Sequence, residues 1–152
     1  MSMEVIRIMN LKNRYMGLCD LGYPPKALSE LFVEDGIWTS QAFGTYRGKK
    51  EIEEFFANIS SRIVFAAHLA LNPIIEVAPN GEEATGRWRI LMPFTEEDQG
   101  RRTSRWILGD YAEDYTFRDG VWLFKKIDFF VNFNVPHSGD WAEATAVRPS
   151  SR

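Results

Sequence analysis

The pattern of apolar residues changes near residue 60, and this change limits the possible folds more than any other feature of the chain. Before it, residues such as Ile6, Met9 and Met16 recur at roughly helical spacing. After it, strand-like apolar segments are separated by tight turns such as Arg118-Asp119-Gly120. Because such turns join antiparallel neighbours, we predict an α+β domain in which a curved antiparallel or mixed sheet packs its concave face against helices.

The element boundaries follow from the same periodicities and from the Gly and Pro residues that interrupt them. The first helix should end near Asp20, because Gly22 and two prolines follow. A short second helix is predicted after those prolines, a turn at residues 34–36, and a third helix over residues 49–59. The strands are predicted at residues 37–43, 64–71, 74–77, 84–94, 106–117 and 121–131.

Composition bounds the size of the protein and its partners. The 152 residues, 45% of them hydrophobic, suffice for one sizeable core. We predict one domain over residues 1–134 and a loosely ordered carboxy-terminal tail over residues 135–152. A formal net charge of −3, from 18 basic and 21 acidic residues, offers no electrostatic footprint for nucleic acid. The longest apolar segment is too short to cross a bilayer, so no membrane partner is expected.

The cellular location is predicted from the amino terminus and from cysteine usage. The first residues lack the basic region and long apolar run of a signal peptide. A single cysteine, Cys19, excludes an internal disulfide and is typical of a reducing compartment. We therefore expect a cytoplasmic protein.

His68 is one of only two histidines, and it lies in the apolar stretch of residues 64–71. Burial disfavours the charged imidazolium and a carboxylate partner restores it, so an Asp–His pair in an apolar setting can act as a base near neutral pH. Asp20 and Tyr15, far upstream, are possible partners. A buried histidine that only satisfies its hydrogen bonds would give the same pattern. The two histidines have no metal-ligand spacing, which argues against a metal site.

Large aromatic residues fall on most of the predicted strands. They include Trp38, Trp88, Phe94, Tyr111 and Phe129. Core packing explains most such residues, but a closed apolar pocket for a ring-shaped ligand would use the same side chains. Both interpretations remain open at this point.

A series of short segments runs in order from about Ile6 to Phe130. They are residues 11–15 (LKNRY) with Asp20, 31–36 (LFVEDG), 44–48 (GTYRG), His68 with Asn72-Pro73, 84–88 (ATGRW), 109–111 (GDY) and 119–122 (DGVW). Together they resemble SnoaL-like domains of the nuclear transport factor 2-like superfamily, in the branch of scytalone dehydratase, bile-acid 7α-dehydratase and lindane dehydrochlorinase. The resemblance implies a cone-shaped, cystatin-like sheet packed against three amino-terminal helices.

The same resemblance implies a cofactor-free lyase that acts on a hydrophobic cyclic small molecule. It puts a catalytic dyad on Asp20 and His68, and it assigns Tyr15 to the same site. Substrate contacts are expected from Trp38, Trp88, Phe94, Tyr111, Phe129 and Asn132. The second site histidine of scytalone dehydratase aligns with Phe94, and its two water-holding tyrosines align with Cys19 and Trp38, so a different substrate is expected.

Other functions use the same fold. An isomerase or a polyketide-cyclase-like enzyme would share the pocket, and isomerisation would share the first proton transfer. A scaffold subunit resembling the small subunit of ring-hydroxylating dioxygenases would have its pocket filled by side chains and would not need an Asp–His contact. The resemblance also implies a homo-oligomer, a trimer rather than a dimer. The discriminating observation is whether Asp20 and His68 meet at hydrogen-bond distance on the wall of an apolar cavity.

Overall fold

The computed structural model describes residues 2–138, which form three helices and seven strands. In chain order the elements are α1 Met3–Asp20, α2 Pro25–Ser29, β1 Phe32–Ser40, β2 Gly44–Arg47, α3 Gly48–Ser60, β3 Ile63–Ala66, β4 Leu69–Val77, β5 Glu83–Asp98, β6 Arg101–Arg118 and β7 Val121–Pro136. Within this part of the chain, no helix combines the length and the apolar character needed to cross a membrane.

The strands form one mixed sheet in the order β2-β1-β7-β6-β5-β3, and β4 also pairs with β5. Strands β5, β6 and β7 are long antiparallel neighbours joined by tight turns. The turn between β6 and β7 was predicted, but the gap predicted between residues 94 and 106 is wrong, because β5 continues to Asp98 and β6 begins at Arg101. Strand β1 runs parallel to β7, so the sheet is mixed. Strands β3 and β4 pair with successive parts of β5, and the chain breaks between them at Ala67 and His68.

The core lies between the concave face of the sheet and the helices. Burial alternates along the first part of β5, where Trp88, Ile90, Met92 and Phe94 are buried, whereas Arg87 and Arg89 are exposed. Helix α1 buries one face, which includes Ile8, and α3 buries its apolar stripe. The predicted α+β architecture is confirmed.

The predicted strand and turn boundaries are wrong near residue 34. Strand β1 already begins at Phe32, and the predicted turn lies inside it as an irregularity between Phe32 and Ile37, where the register against β7 shifts. Gly36 is required there, because a Cβ atom at this position would lie 2.9 Å from the Cβ of Phe32. The short strand β2, which pairs with β1, was not predicted.

The predicted strand over residues 64–71 is divided in two. Ala66 is the last residue of β3 and Leu69 the first of β4. The backbone N–H of Ala67 still donates to the Pro93 carbonyl at 3.0 Å, so the break stays close to β5. Further along, Asn72 has a φ of +52° within β4, where the register shifts again. The division leaves His68 outside both ladders.

Strand β7 extends two residues beyond the predicted domain boundary at 134. Val135 and Pro136 pair with β6, and the backbone N–H of His137 donates to the Ser104 carbonyl at 2.8 Å. These contacts continue the sheet through the first residues that were predicted to belong to a tail. The remainder of that predicted tail, residues 139–152, lies outside the described residues.

Candidate active site

A cavity with a volume of about 140 Å³ opens between the concave face of the sheet and helices α1 and α3. Its walls are mostly apolar and aromatic, and include Trp38, Phe55, Phe56, Met92, Phe94 and Phe129. A dry apolar cavity of roughly 150 Å³ holds one benzene molecule, so this one has room for a single ring. The open end carries polar side chains, namely Arg62, Glu96 and Asn134.

His68 lines this cavity, and Asp20 contacts it from outside the cavity wall. Asp20 is the last residue of α1, and His68 occupies the break between β3 and β4. Oδ1 of Asp20 is 2.7 Å from Nδ1 of His68 and also accepts the backbone N–H of His68 at 2.8 Å. The His68 side chain is 5% exposed and that of Asp20 is 37% exposed. The aspartate therefore stands behind the histidine, between it and solvent.

The contacts of His68 assign its tautomer. An ionised carboxylate can only accept, so Nδ1 carries the proton in the neutral ring and Nε2 has the free lone pair. The hydroxyl of Tyr23 lies 3.2 Å from Nε2 and donates to it. Because His68 and Tyr23 both line the cavity, this nitrogen is the basic atom available to a bound molecule.

Tyr23 was missed by the sequence analysis, and the end of α1 explains its position. The N–H of Gly22 donates to the Cys19 carbonyl and the N–H of Tyr23 to the Leu18 carbonyl, which is the Schellman pattern of helix termination. Tyr23 itself has a φ of +57°, an uncommon conformation for a bulky residue. The Gly-Tyr-Pro-Pro segment predicts only that a helix ends, so it did not indicate that Tyr23 belongs to the site.

The side chain of Tyr23 is held by two aromatic contacts. Its ring stacks on Phe56 with a centroid distance of 6.3 Å and meets the His68 ring edge-on at 5.6 Å. The residue is 6% exposed. Burial raises the pKa of the Tyr23 hydroxyl well above its usual value, so this group remains a proton donor at neutral pH.

Tyr15 lies on α1 and also lines the cavity. Its hydroxyl accepts the indole N–H of Trp38 at 3.0 Å and also hydrogen-bonds with the Cys19 thiol, one helical turn further along α1. Burial raises the pKa of Tyr15 well above its usual value. Cys19, on the same helix, is buried, and burial raises the pKa of its thiol, so it is not an activated nucleophile.

Four of the six expected substrate-contacting residues line the cavity, and two do not. Those that do are Trp38, Phe94, Tyr111 and Phe129. Trp88 is not brought to the cavity, and its indole N–H donates to the Tyr115 hydroxyl at 3.0 Å.

Asn132 is the second residue that does not line the cavity. Its amide donates to Asp110 at 2.7 Å, and Asp110 points to the opposite face of β6 from the cavity-lining Tyr111. The register between β6 and β7 shifts at this point, because Leu108 pairs with Phe133 and Gly109 with Val131. This bulge changes the alternation along β7, and as a result Asn134 faces inward and lines the cavity together with Phe129.

A buried ion pair lies next to the cavity and was not predicted. The Lys12 ammonium contacts Glu113, and neither side chain is exposed to solvent. Glu113 also accepts the hydroxyl of Tyr115. The Lys12 Nζ lies 3.4 Å from the ring centroid of Tyr111, a cavity-lining residue. Burial lowers the pKa of Lys12, and the negative charge of Glu113 opposes this shift.

The sequence contains a pattern that indicates this ion pair, namely charged residues at positions where apolar ones are expected. Lys12 lies one helical turn from Ile8 and from Met16 on the apolar face of α1, where a charged residue is out of place. Glu113 interrupts the buried face of β6 between Tyr111 and Tyr115 in the same way. Two opposite charges at core positions of different elements indicate a buried pair.

Metal-ligating groups are sparse in the part of the chain that the structure describes. Residues 2–138 contain no group of three or more His, Cys, Asp or Glu side chains placed to share a metal ion. The polar atoms of the cavity are the imidazole of His68, the phenol hydroxyls and the groups at the open end.

Comparison with known proteins agrees with the fold. Residues 5–128 match the family model described as a SnoaL-like domain. Hexachlorocyclohexane dehydrochlorinase 1 of Sphingobium indicum is 24% identical over 125 residues, which cover 74% of this chain and 71% of that protein. Dehydrochlorinases are lyases, and the similarity supports an enzyme of that class.

Two solved structures illustrate the similarity of fold. The crystal structure of a type 2 hexachlorocyclohexane dehydrochlorinase has a TM-score of 0.78 at 23% identity, covering 89% of this chain and 89% of that one. An NTF2-like protein with a cystatin-like fold from Novosphingobium aromaticivorans has a TM-score of 0.64 at 23% identity, covering 91% and 85% of the two chains. Because the family model matches residues 5–128, the protein belongs to the SnoaL-like domain family.

Proposed function

We propose that this protein is a cofactor-free lyase that removes a proton from carbon and expels a leaving group from a hydrophobic cyclic small molecule. The observation that carries the proposal is the hydrogen bond of 2.7 Å between Asp20 Oδ1 and His68 Nδ1. It leaves the lone pair of Nε2 on the cavity side of the ring, where a general base is needed. The dehydrochlorinase relatives support elimination as the reaction class.

Asp20 would act through His68. Its carboxylate holds the imidazole in the Nδ1–H tautomer and stabilises the imidazolium that forms when Nε2 takes the substrate proton. The second hydrogen bond, from the backbone N–H of His68 to the same oxygen, fixes the position of the ring relative to α1. Both contacts favour a base whose orientation is set before the substrate binds.

Tyr15 would stabilise the negative charge that develops on the substrate. Its hydroxyl accepts from Trp38, and its proton could turn from the Cys19 thiol to a carbonyl or a similar oxygen next to the carbon that loses its proton. Its raised pKa keeps it neutral and able to donate over the physiological range. This role requires no metal ion and no nucleotide.

The substrate class follows from the walls of the cavity. Aromatic and aliphatic side chains dominate them, and the volume of about 140 Å³ suits one ring. The charged groups Arg62 and Glu96 lie at the open end, so a polar substituent of the substrate would point outward. We propose that the substrate is a cyclic compound with an acidified C–H bond. Hexachlorocyclohexane, which appears in the name of the relative from Sphingobium indicum, is one compound of this kind.

Isomerisation is the second candidate, because it shares the first proton transfer and differs only in where the proton returns. The observation that favours it is the pair of neutral hydroxyls, Tyr15 and Tyr23, which could stabilise an enolate while His68 moves the proton. The open cavity argues against a scaffold subunit, whose pocket would be filled by side chains. A binding protein or a polyketide cyclase would tolerate loss of the dyad.

We also propose a homo-oligomer, a trimer rather than a dimer, in the cytoplasm. Large apolar side chains are exposed along β3 and β4, namely Val64, Phe65, Leu69, Leu71 and Ile74. A contiguous exposed apolar surface of this kind is typical of an interface between subunits. Cys19 is a buried free thiol that forms no disulfide, which is consistent with a reducing compartment.

The proposal is tested with a panel of cyclic hydroxyketones and halogenated cyclohexanes, followed by product analysis and by exchange of substrate hydrogen with deuterated solvent. His68→Ala and Asp20→Asn are expected to lower the rate by about 10²–10⁴-fold, the usual contribution of general base catalysis. His137→Ala is the matched control, since this histidine is exposed and donates no group to the cavity. Activity that survives in both site variants would contradict the proposal.

A further inference from the structure

Tyr23 provides a second reactive group at the atom that the proposed mechanism uses as a base. Its hydroxyl lies 3.2 Å from Nε2 of His68, and both side chains line the cavity. No other side-chain hydrogen bond to Nε2 is present among residues 2–138. Any molecule whose C–H bond reaches this nitrogen therefore also meets the Tyr23 hydroxyl.

The contact between Tyr23 and His68 is suited to exchange of partners. Hydroxyl donors usually lie closer to their acceptors, so a distance of 3.2 Å marks a weak hydrogen bond. The hydroxyl proton can turn about the C–O bond from Nε2 to a second acceptor without movement of the ring. That turn would free the lone pair of Nε2 at the moment when a substrate oxygen takes its place.

The chain holds Tyr23 in this position at some conformational cost. A φ of +57° is strained for a bulky residue, and such outliers cluster at functional sites. The Schellman motif at the end of α1 and the stacking on Phe56 hold the residue there. A tyrosine needed only for core packing would not require its hydroxyl to meet the base.

We propose that Tyr23 is a catalytic residue, the general acid that protonates a departing hydroxyl group, and that the substrate is therefore a cyclic β-hydroxy compound rather than a halide. This inference rests on the proposed lyase function and deepens it. Hydroxide is a poor leaving group that needs a proton as it departs, whereas chloride leaves without one. A donor placed beside the base is therefore useful for dehydration and superfluous for loss of chloride.

The proton transfers balance within one turnover. The C–H bond breaks, its proton goes to Nε2 of His68, and the electron pair forms the new C=C bond. The adjacent C–O bond breaks, and the departing oxygen takes the Tyr23 proton and leaves as water. The tyrosinate then takes the proton from the imidazolium at Nε2. The substrate has lost water, and both side chains have regained their starting protonation states without an external acid or base.

The geometry also predicts the stereochemistry. The basic nitrogen and the acidic hydroxyl lie 3.2 Å apart on one wall of the cavity. They can therefore reach two vicinal groups only if those groups lie on the same face of the substrate ring. We expect syn elimination, in which the hydrogen and the hydroxyl group leave from the same side.

The test compares Tyr23→Phe with wild type on a matched pair of cyclic ketones that differ only in a β-hydroxyl or a β-chloro leaving group. We expect the variant to lose about 10²-fold or more in kcat on the hydroxy compound and less than about threefold on the chloro compound. The phenylalanine keeps the ring contacts with Phe56 and His68. Tyr46→Phe is the matched control, because Tyr46 does not line the cavity and its hydroxyl donates to a backbone carbonyl, that of Phe43.

Three outcomes separate this inference from the proposed function. Equal rates of Tyr23→Phe and wild type on the hydroxy compound would overturn the role of Tyr23 while leaving the dyad intact. Anti elimination of a stereospecifically deuterated hydroxy substrate would also overturn it. If His68→Ala eliminated both leaving groups as fast as wild type, the proposed function itself would fail. Thermal unfolding of each variant shows that a loss of rate does not come from a loss of fold.

Discussion

One oxygen of Asp20 accepts two hydrogen bonds from the same residue, His68, one from the ring Nδ1 at 2.7 Å and one from the backbone N–H at 2.8 Å. The first bond concerns the chemistry of the imidazole, and the second joins the end of α1 to the break between β3 and β4. Because the two bonds differ in function, substitutions of Asp20 can separate their effects.

Asp20→Asn and Asp20→Ala should therefore differ in stability but not in activity. Asparagine keeps an oxygen for the backbone N–H, whereas alanine leaves that donor to water, so we expect alanine to cost about 1 kcal/mol more in the free energy of unfolding. Both remove the carboxylate charge and should lower kcat by about 10²-fold or more. Urea unfolding and elimination kinetics check the two expectations. An active Asp20→Asn variant would show that the carboxylate charge is not required.

The buried pair of Lys12 and Glu113 should behave as a unit. Lys12→Met leaves the Glu113 carboxylate buried with no cation, and breaking such a pair typically costs about 3–5 kcal/mol in the free energy of unfolding. Adding Glu113→Leu removes the unpaired charge and should recover most of that loss. A double-mutant cycle by urea denaturation measures the coupling. Additive losses in the double variant would show that the two charges do not interact.

Stability should fall steeply above about pH 10. Burial raises the pKa of Tyr15, Tyr23, Tyr111 and Tyr115 above the usual value of 10.0. In this pH range the unfolded chain releases these protons and the folded protein retains them, so each tyrosine contributes stability that is present below pH 10 and lost as pH rises toward its folded pKa. Burial lowers the pKa of Lys12, so its contribution to the pH dependence of stability has the opposite sign to that of the tyrosines. Lys12 is a single group, whereas four tyrosines act in the other direction.

Two measurements follow this alkaline transition. Thermal unfolding between about pH 8 and 11 gives the loss of stability, and ultraviolet absorbance gives the ionisation of tyrosine. We expect the four buried phenols to ionise only as the protein unfolds. If they titrate near pH 10 while the protein remains folded, their burial in solution is less than in the structure.

Filling the cavity should abolish turnover without weakening the fold. Met92 lines the cavity wall, so a larger side chain at this position can extend into the empty volume instead of displacing packed neighbours. We expect Met92→Trp to lower kcat/KM by at least about tenfold and to change the free energy of unfolding by less than about 1.5 kcal/mol. Full activity in a stable Met92→Trp variant would place the substrate elsewhere.

The elements that were predicted well are those whose pattern is local. The apolar stripe of α1 and its stop at Asp20, and the alternation along β5, each follow from contacts within one element. The break at His68 was missed because residues 63–71 form a continuous run of mostly apolar residues, and only the pairing of both halves with β5 divides it. Local periodicity carries no information about such a shared partner.

The prediction of the site residues was limited in the same way, because local periodicity carries no information about tertiary contacts. The contact of Asp20 with His68 was anticipated through the family resemblance, since 48 residues separate them and no periodicity relates them. Tyr23 was missed because a tyrosine with positive φ has no propensity signal, and Asn134 was missed because a bulge in β7 changes which residues face inward. Strain and bulges depend on tertiary contacts, which the sequence pattern does not display.

The most direct test of the central claim is chemical rescue of His68→Ala by free imidazole, measured on a substrate that the wild-type enzyme turns over. If His68 is the base, the variant should lose about 10²-fold or more in rate, and added imidazole should restore part of it, because the removed side chain leaves space on the cavity wall. The restored reaction should show a primary deuterium isotope effect at the carbon that loses its proton. A His68→Ala variant that works at the wild-type rate without imidazole would contradict the account.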